Sequence, residues 1–105
     1  MIITITNFKL PKPVTREEAK EIFLTTAPNY RGVEGLHQKC YIIPEGGDTV
    51  DSVGGVYLWD SREQAEAMFT ESWTAFVTEK YQTAPSVTYL ESPVMVDNVA
   101  GKIVS

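Results

Sequence analysis

The chain has 105 residues, of which 43% are hydrophobic, 10% aromatic and 22% charged. That composition fits one globular domain, and the length argues against two cores. Nine basic and 14 acidic side chains give a formal charge of −5, and with no Lys/Arg cluster this speaks against nucleic acid or an anionic membrane as a partner. No apolar run approaches the length of a transmembrane helix. The N-terminus lacks the basic and long apolar regions of a signal peptide. The single cysteine, Cys40, cannot form an internal disulfide, so a cytoplasmic location is expected.

Ile2 to Phe8 is short and β-branched, which suits a strand, and Pro11 and Pro13 are expected to stop it. Thr15-Arg-Glu-Glu18 is a capping box. The helix it starts puts Ala19, Ile22, Phe23 and Ala27 on one stripe. Pro28 and Tyr30 to Gly35 end that helix and form a connection. Leu36 to Ile43 reads as a second strand, and Glu45 to Ser52 as a polar turn leading into a third strand, Val53 to Trp59. Ser61-Arg-Glu-Gln64 is a second capping box, and Ala65, Met68, Phe69, Trp73, Phe76 and Val77 form the stripe of its helix. That helix runs from Arg62 to Tyr81, with a break expected at Ser72 to Thr74. Ser86 to Glu91 alternates as a fourth strand, Pro93 to Val96 adds a short edge strand, and residues 97–105 are expected to be a loosely held tail of the one domain. The order β-α-β-β-α-β predicts a ferredoxin-like α+β fold, an antiparallel sheet with both helices on one face.

Two helices cover only one sheet face, yet both faces carry apolar residues. In the third strand Val53, Tyr57 and Trp59 oppose Val56 and Leu58; in the second, Leu36, Cys40 and Ile42 oppose His37, Lys39, Tyr41 and Ile43. A second copy of the sheet, related by a two-fold axis, would cover the other face, so a homodimer is expected. The pattern leaves open which parity faces the helices. The plainer alternative is a monomer with some surface aromatics.

Gly35-Leu-His-Gln-Lys39, followed by Gly54-Gly-Val-Tyr-Leu-Trp-Asp-Ser-Arg-Glu-Gln-Ala-Glu66, resembles the small monooxygenases of the YdhR type, within the dimeric α/β-barrel superfamily. The similarity is best from Gly35 to Glu66. It implies a dimeric α/β barrel that oxidises a small aromatic or quinol-like substrate with molecular oxygen and no metal, flavin or other cofactor. In that chemistry the substrate's own carbanion or phenolate reduces oxygen. The protein supplies an apolar pocket, a few polar groups and exclusion of water. The related antibiotic-biosynthesis monooxygenases carry histidines in their second helix; this chain has none there, since its only His is His37. Because the superfamily holds varied chemistries, an isomerase or lyase and a non-catalytic dimer binding a small apolar ligand are the alternatives.

His37 and Lys39 lie two apart, which puts them on one strand face, with Tyr41 next along it. His37 suits a general base, and Lys39 suits stabilisation of an oxyanion or phenolate. The plainer reading has both at a strand surface holding water or a carboxylate. Tyr57 and Trp59 share a face of the third strand, and with Tyr41, Trp73 and Tyr89 they would wall a pocket for a flat ring. Phe69 and Phe76 read as plain core. Gly54-Gly55 marks a tight hairpin or a close backbone approach. Cys40 reads as a small buried hydrophobe. Arg31 could clamp an acidic substrate or lie at the surface. One His and one Cys make no structural zinc site, His37 is the sole His available to a haem, and no dinucleotide-binding glycine motif occurs.

Overall fold

Alternation along the first strand sets the architecture: Thr4, Thr6 and Phe8 are buried, while Ile3, Ile5 and Asn7 between them point to the other face. The computed structural model describes residues 1–105, in the order β1 (Ile2–Thr15), α1 (Arg16–Thr26), β2 (Leu36–Ile42), β3 (Thr49–Trp59), α2 (Arg62–Met68), α3 (Glu71–Tyr81) and β4 (Ser86–Glu91). β2, β3, β1 and β4 form one antiparallel sheet in that spatial order, as the ferredoxin-like pattern requires. The helices pack on the face carrying Phe8, Val53, Tyr57 and Trp59. No helix is long and apolar enough to cross a membrane.

The capping box at Thr15 is complete: its hydroxyl accepts from the Glu18 amide, and the Glu18 carboxylate accepts from the Thr15 amide. Ser61 caps α2 by accepting from the Gln64 amide. The long second helix does break, but at Phe69 and Thr70, earlier than expected. Thr70 caps α3 by accepting from the Trp73 amide. The break frees Phe69 to meet four rings edge-on, those of Tyr57, Trp59, Trp73 and Tyr89.

Four further local expectations are corrected. Pro11 and Pro13 do not end β1, which runs on to Thr15. β4 pairs only with Ile2 to Asn7, so the later part of β1 has one free edge, and the register with β3 shifts between Lys9 and Val14. The prolines sit in that bulged stretch, where a missing N–H costs no ladder bond. β3 accordingly begins at Thr49, opposite Thr15. The C-terminal residues form a hairpin, β5 (Met95–Asp97) against β6 (Lys102–Val104), apart from the main sheet. Cys40 is exposed, on the face away from the helices.

That outer face carries half-buried Ile3, Ile5, Val56 and Leu58, with exposed Ile42 and Leu90 at its margins. On the inner face Trp59 is fully buried and its Nε1 donates to the equally buried Thr4 hydroxyl at 2.9 Å. Thr4→Val strands that indole donor, and urea denaturation should register a loss of about 1–3 kcal/mol. Thr15→Ala, which removes the exposed cap, should cost about 1 kcal/mol in the same assay.

Candidate functional site

The site begins with a one-residue irregularity in β2. Leu36 pairs with Trp59, but Gln38 pairs with Leu58, so His37 is an extra residue between them. The bulge keeps Leu36 and Lys39 on the helix side and breaks the shared face expected for His37 and Lys39. His37 is half exposed at the sheet edge, and its Nε2 is 2.5 Å from an Asp60 carboxylate oxygen. Lys39 instead turns under the helices.

There its Nζ lies 3.3 Å from the ring centre of Tyr30, 3.8 Å from Tyr41 and 4.8 Å from Tyr57. Tyr30 is brought in by a 3₁₀ turn, Ala27–Tyr30, that Pro28 starts. Space for the lysine stem comes from Gly55, where a Cβ would sit 3.3 Å from Lys39 Cε and 3.0 Å from the Tyr57 ring. Gly54 has a different task. A Cβ there would lie 2.1 Å from the Thr6 carbonyl oxygen, so only glycine lets β1 and β3 approach. Close approach, rather than hairpin geometry, explains the glycine pair.

The phenols are held from behind. The Trp73 Nε1 donates to the Tyr30 hydroxyl at 3.1 Å. Tyr41 and Thr26 hydroxyls lie 2.6 Å apart; Thr26 already donates to the Phe23 carbonyl, so Tyr41 is the donor. Burial pushes the Tyr41, Tyr57 and Tyr81 phenols up, with neighbouring tyrosines adding to the shift. All three stay protonated near neutrality.

Burial lowers Lys39 to about 7. The ring faces act the other way, each favouring the ammonium by about 0.5–2 kcal/mol. No carboxylate lies within ion-pair distance, since the chain's ion pairs are Lys9–Asp51, His37–Asp60 and Arg62–Glu66. An ammonium losing its hydration without a counter-ion pays several kcal/mol, so the net direction is downward.

Two spaces meet at Lys39. Inside, a cavity of about 20 Å³ is bounded by Lys39, Tyr41, Tyr57, Trp73 and Tyr81 with Thr6 and Gly55. That volume suits one water-sized molecule. Outside, a groove of about 260 Å³ runs along the β2 edge past Tyr30, Arg31, His37, Lys39 and Tyr41. Tyr30, Lys39 and Tyr41 belong to both. Of the pocket walls expected from sequence, Tyr41, Tyr57 and Trp73 converge on the cavity. Trp59 does not line it but stacks behind Tyr57, 6.0 Å between ring centres and 9° between planes. Tyr89 is likewise set back, against Phe69 and under the Arg62 guanidinium. Phe76, read as core, is 48% exposed and borders the cavity. Tyr30, Thr6, Thr26 and Tyr81 were not anticipated; each is unremarkable alone and enters the site only through packing between elements. No three His, Cys, Asp or Glu side chains are grouped to hold a metal ion.

No family model matches the chain, and no curated protein matches it by sequence. Solved structures do match. A dimeric ferredoxin-like protein from an uncultured marine organism covers 90% of this chain and 97% of its own at TM-score 0.65 and 18% identity. SnoaB, a cofactor-independent oxygenase from Streptomyces nogalater, covers 90% and 95% at TM-score 0.63 and 11% identity. A monooxygenase from the gene ActVA-Orf6 of Streptomyces coelicolor, solved with nanaomycin D, covers 87% and 86% at TM-score 0.61 and 16% identity. At these identities the likeness establishes the fold: this chain has the ferredoxin-like α+β fold of the antibiotic biosynthesis monooxygenases.

The Lys39 environment has a measurable consequence. Its folded pKa, about 7, lies below the unfolded value of 10.5. Between those values the unfolded chain holds more protons, so stability rises with pH across that window, by up to about 1.4 kcal/mol per unit. Lys39→Met should therefore be more stable than the parent at pH 7, with the difference shrinking toward pH 10. Urea titrations at several pH values would read this, and a pH-independent difference would refute it.

Proposed function

We propose that the protein is a cytoplasmic, homodimeric, cofactor-independent monooxygenase of the YdhR type, acting on a small phenol or quinol. The observation that carries this reading is the Lys39 amine, held uncounterbalanced among tyrosine rings where an inner cavity meets an outer groove. The aromatic ring of the substrate occupies the groove. Lys39 takes the phenolic proton, and its ammonium then faces the phenolate. The electron-rich phenolate reduces oxygen that reaches it through the groove. One oxygen atom joins the ring; the other leaves as water, with the phenolic proton and the displaced ring proton. His37, paired with Asp60 on the same groove, passes protons to solvent. Tyr41, Tyr57 and Trp73 wall the site, while Trp59 and Tyr89 back it.

The homodimer rests on the uncovered apolar outer face and on the fold shared with a protein described as dimeric. A second reading, a non-catalytic binder of small apolar molecules, has one observation in its favour. A separate groove of about 520 Å³ lies between the β1 arm, α1 and α3, floored by Val14, Ala19, Ile22, Phe23 and Val53.

Oxygen uptake with small naphthols and hydroquinones tests the enzyme reading. Turnover should incorporate one labelled oxygen atom per product. Lys39→Met should lower kcat/KM at least about 100-fold, and His37→Ala about tenfold. Full activity in Lys39→Met would remove Lys39 from the chemistry. Light scattering should give twice 11.7 kDa.

A further inference from the structure

We propose that Lys39 is also a covalent site, where its amine condenses with a small aldehyde or ketone entering by the β2-edge groove to form an imine. This goes beyond oxygen chemistry, because the condensation consumes no oxidant. Three features of the site converge on it. First, the amine is reachable: Lys39 lines both the inner cavity and the open groove of about 260 Å³, enough for a small ring or short chain. Second, nothing neutralises an ammonium there. The ionisable groups that line the two spaces with Lys39 are Tyr30, Tyr41, Tyr57, Tyr81 and Lys80, with Arg31 and His37 along the groove, and none is a carboxylate that would hold Lys39 charged. An amine desolvated in apolar surroundings keeps its lone pair free for attack. Third, the by-product has a place to form. The inner cavity of about 20 Å³ is the size of one water and is bordered by the hydroxyl-bearing Tyr57, Tyr81 and Thr6.

The atoms balance. The Nζ lone pair forms the C–N bond while the carbonyl oxygen becomes a hydroxyl by taking one proton from nitrogen. That hydroxyl then leaves as water with the second nitrogen proton, and the C=N bond forms. Phenols kept neutral by burial can carry those protons between nitrogen and oxygen.

The test uses butanal with cyanoborohydride, without oxygen and near pH 7, followed by peptide mapping of the whole protein. An exposed lysine holds fewer than about one amine in a thousand uncharged at that pH. Lys39 should therefore be labelled at least about tenfold faster than Lys9, Lys12, Lys20, Lys80 or Lys102. Its labelling rate should level off above about pH 8, and Lys39→Arg should lose this label alone. Even labelling across the lysines, or a Lys39 rate that keeps climbing to pH 10, would overturn the proposal. Because the assay excludes oxygen and needs no phenol, failure of quinol oxidation would leave the imine standing. A Lys39 rate that climbs to pH 10 would remove Lys39 as the base for quinol oxidation as well, and oxygen uptake by the parent protein tells the two failures apart.

Discussion

The structure depends on how closely β1 and β3 approach at the centre of the sheet. Gly54 places no side chain against the Thr6 carbonyl, and the two strands stay in register from Ile2 opposite Trp59 to Lys9 opposite Ser52. That register fixes what the helices meet. Thr4, Thr6, Tyr57 and Trp59 all turn to one side, all at 1% exposure or less. Two threonines in such a row leave shallow positions between large rings, and the indole of Trp59 uses one of their hydroxyls. Gly55, the next residue along, then opens the gap into which Lys39 extends. Fold and site therefore share a cause: the glycine pair lets the backbone close and the lysine enter.

The site is an arrangement of opposed energies. The ring faces of three tyrosines attract a cation, while the same rings remove the water a cation needs. Ordinary buried lysines reach a carboxylate or extend to solvent. Lys39 reaches no carboxylate, because its neighbours across the sheet and under the helix are phenols, and its amine stays among their rings although an open groove runs beside it. The phenols in turn resist ionisation, so they cannot supply the missing negative charge. An amine in that setting is sensitive to whatever enters beside it. An anionic guest restores the ammonium, and a neutral guest leaves the base free.

Signals that act within one turn of chain were legible in the sequence. The capping box at Thr15 needs only Thr15 and Glu18, and it predicted the start of α1. The element order and the shared face of Val53, Tyr57 and Trp59 were equally readable, because a strand's period of two holds wherever the ladder is regular. Where it is irregular, reasoning by period fails. The extra residue at His37 separates it from Lys39, and no property of His37 announces a bulge. The prolines of β1 misled for a similar reason: whether a proline ends a strand depends on whether a neighbour needs its N–H, which only the sheet decides. Strand period suffices to single out Lys39 and Tyr57 as candidates, but no local signal points to Tyr30, which reaches the lysine from a turn whose path is set by packing.

One side chain ties a loop to a distant part of the chain. The Arg16 guanidinium, at the first position of α1, donates to the carbonyl oxygens of Pro44, Gly46 and Gly47. Gly46 and Gly47 both hold positive φ, so the loop between β2 and β3 has little stiffness of its own. A hairpin ordinarily closes by local contacts alone, early and fast. Here the turn is completed by a residue about 30 positions upstream. The tip of the β2–β3 hairpin is therefore held from the start of α1 rather than by its own turn. Order at the tip of a local motif is thereby made conditional on a contact from another element, so loosening the first turn of α1 would also loosen this loop.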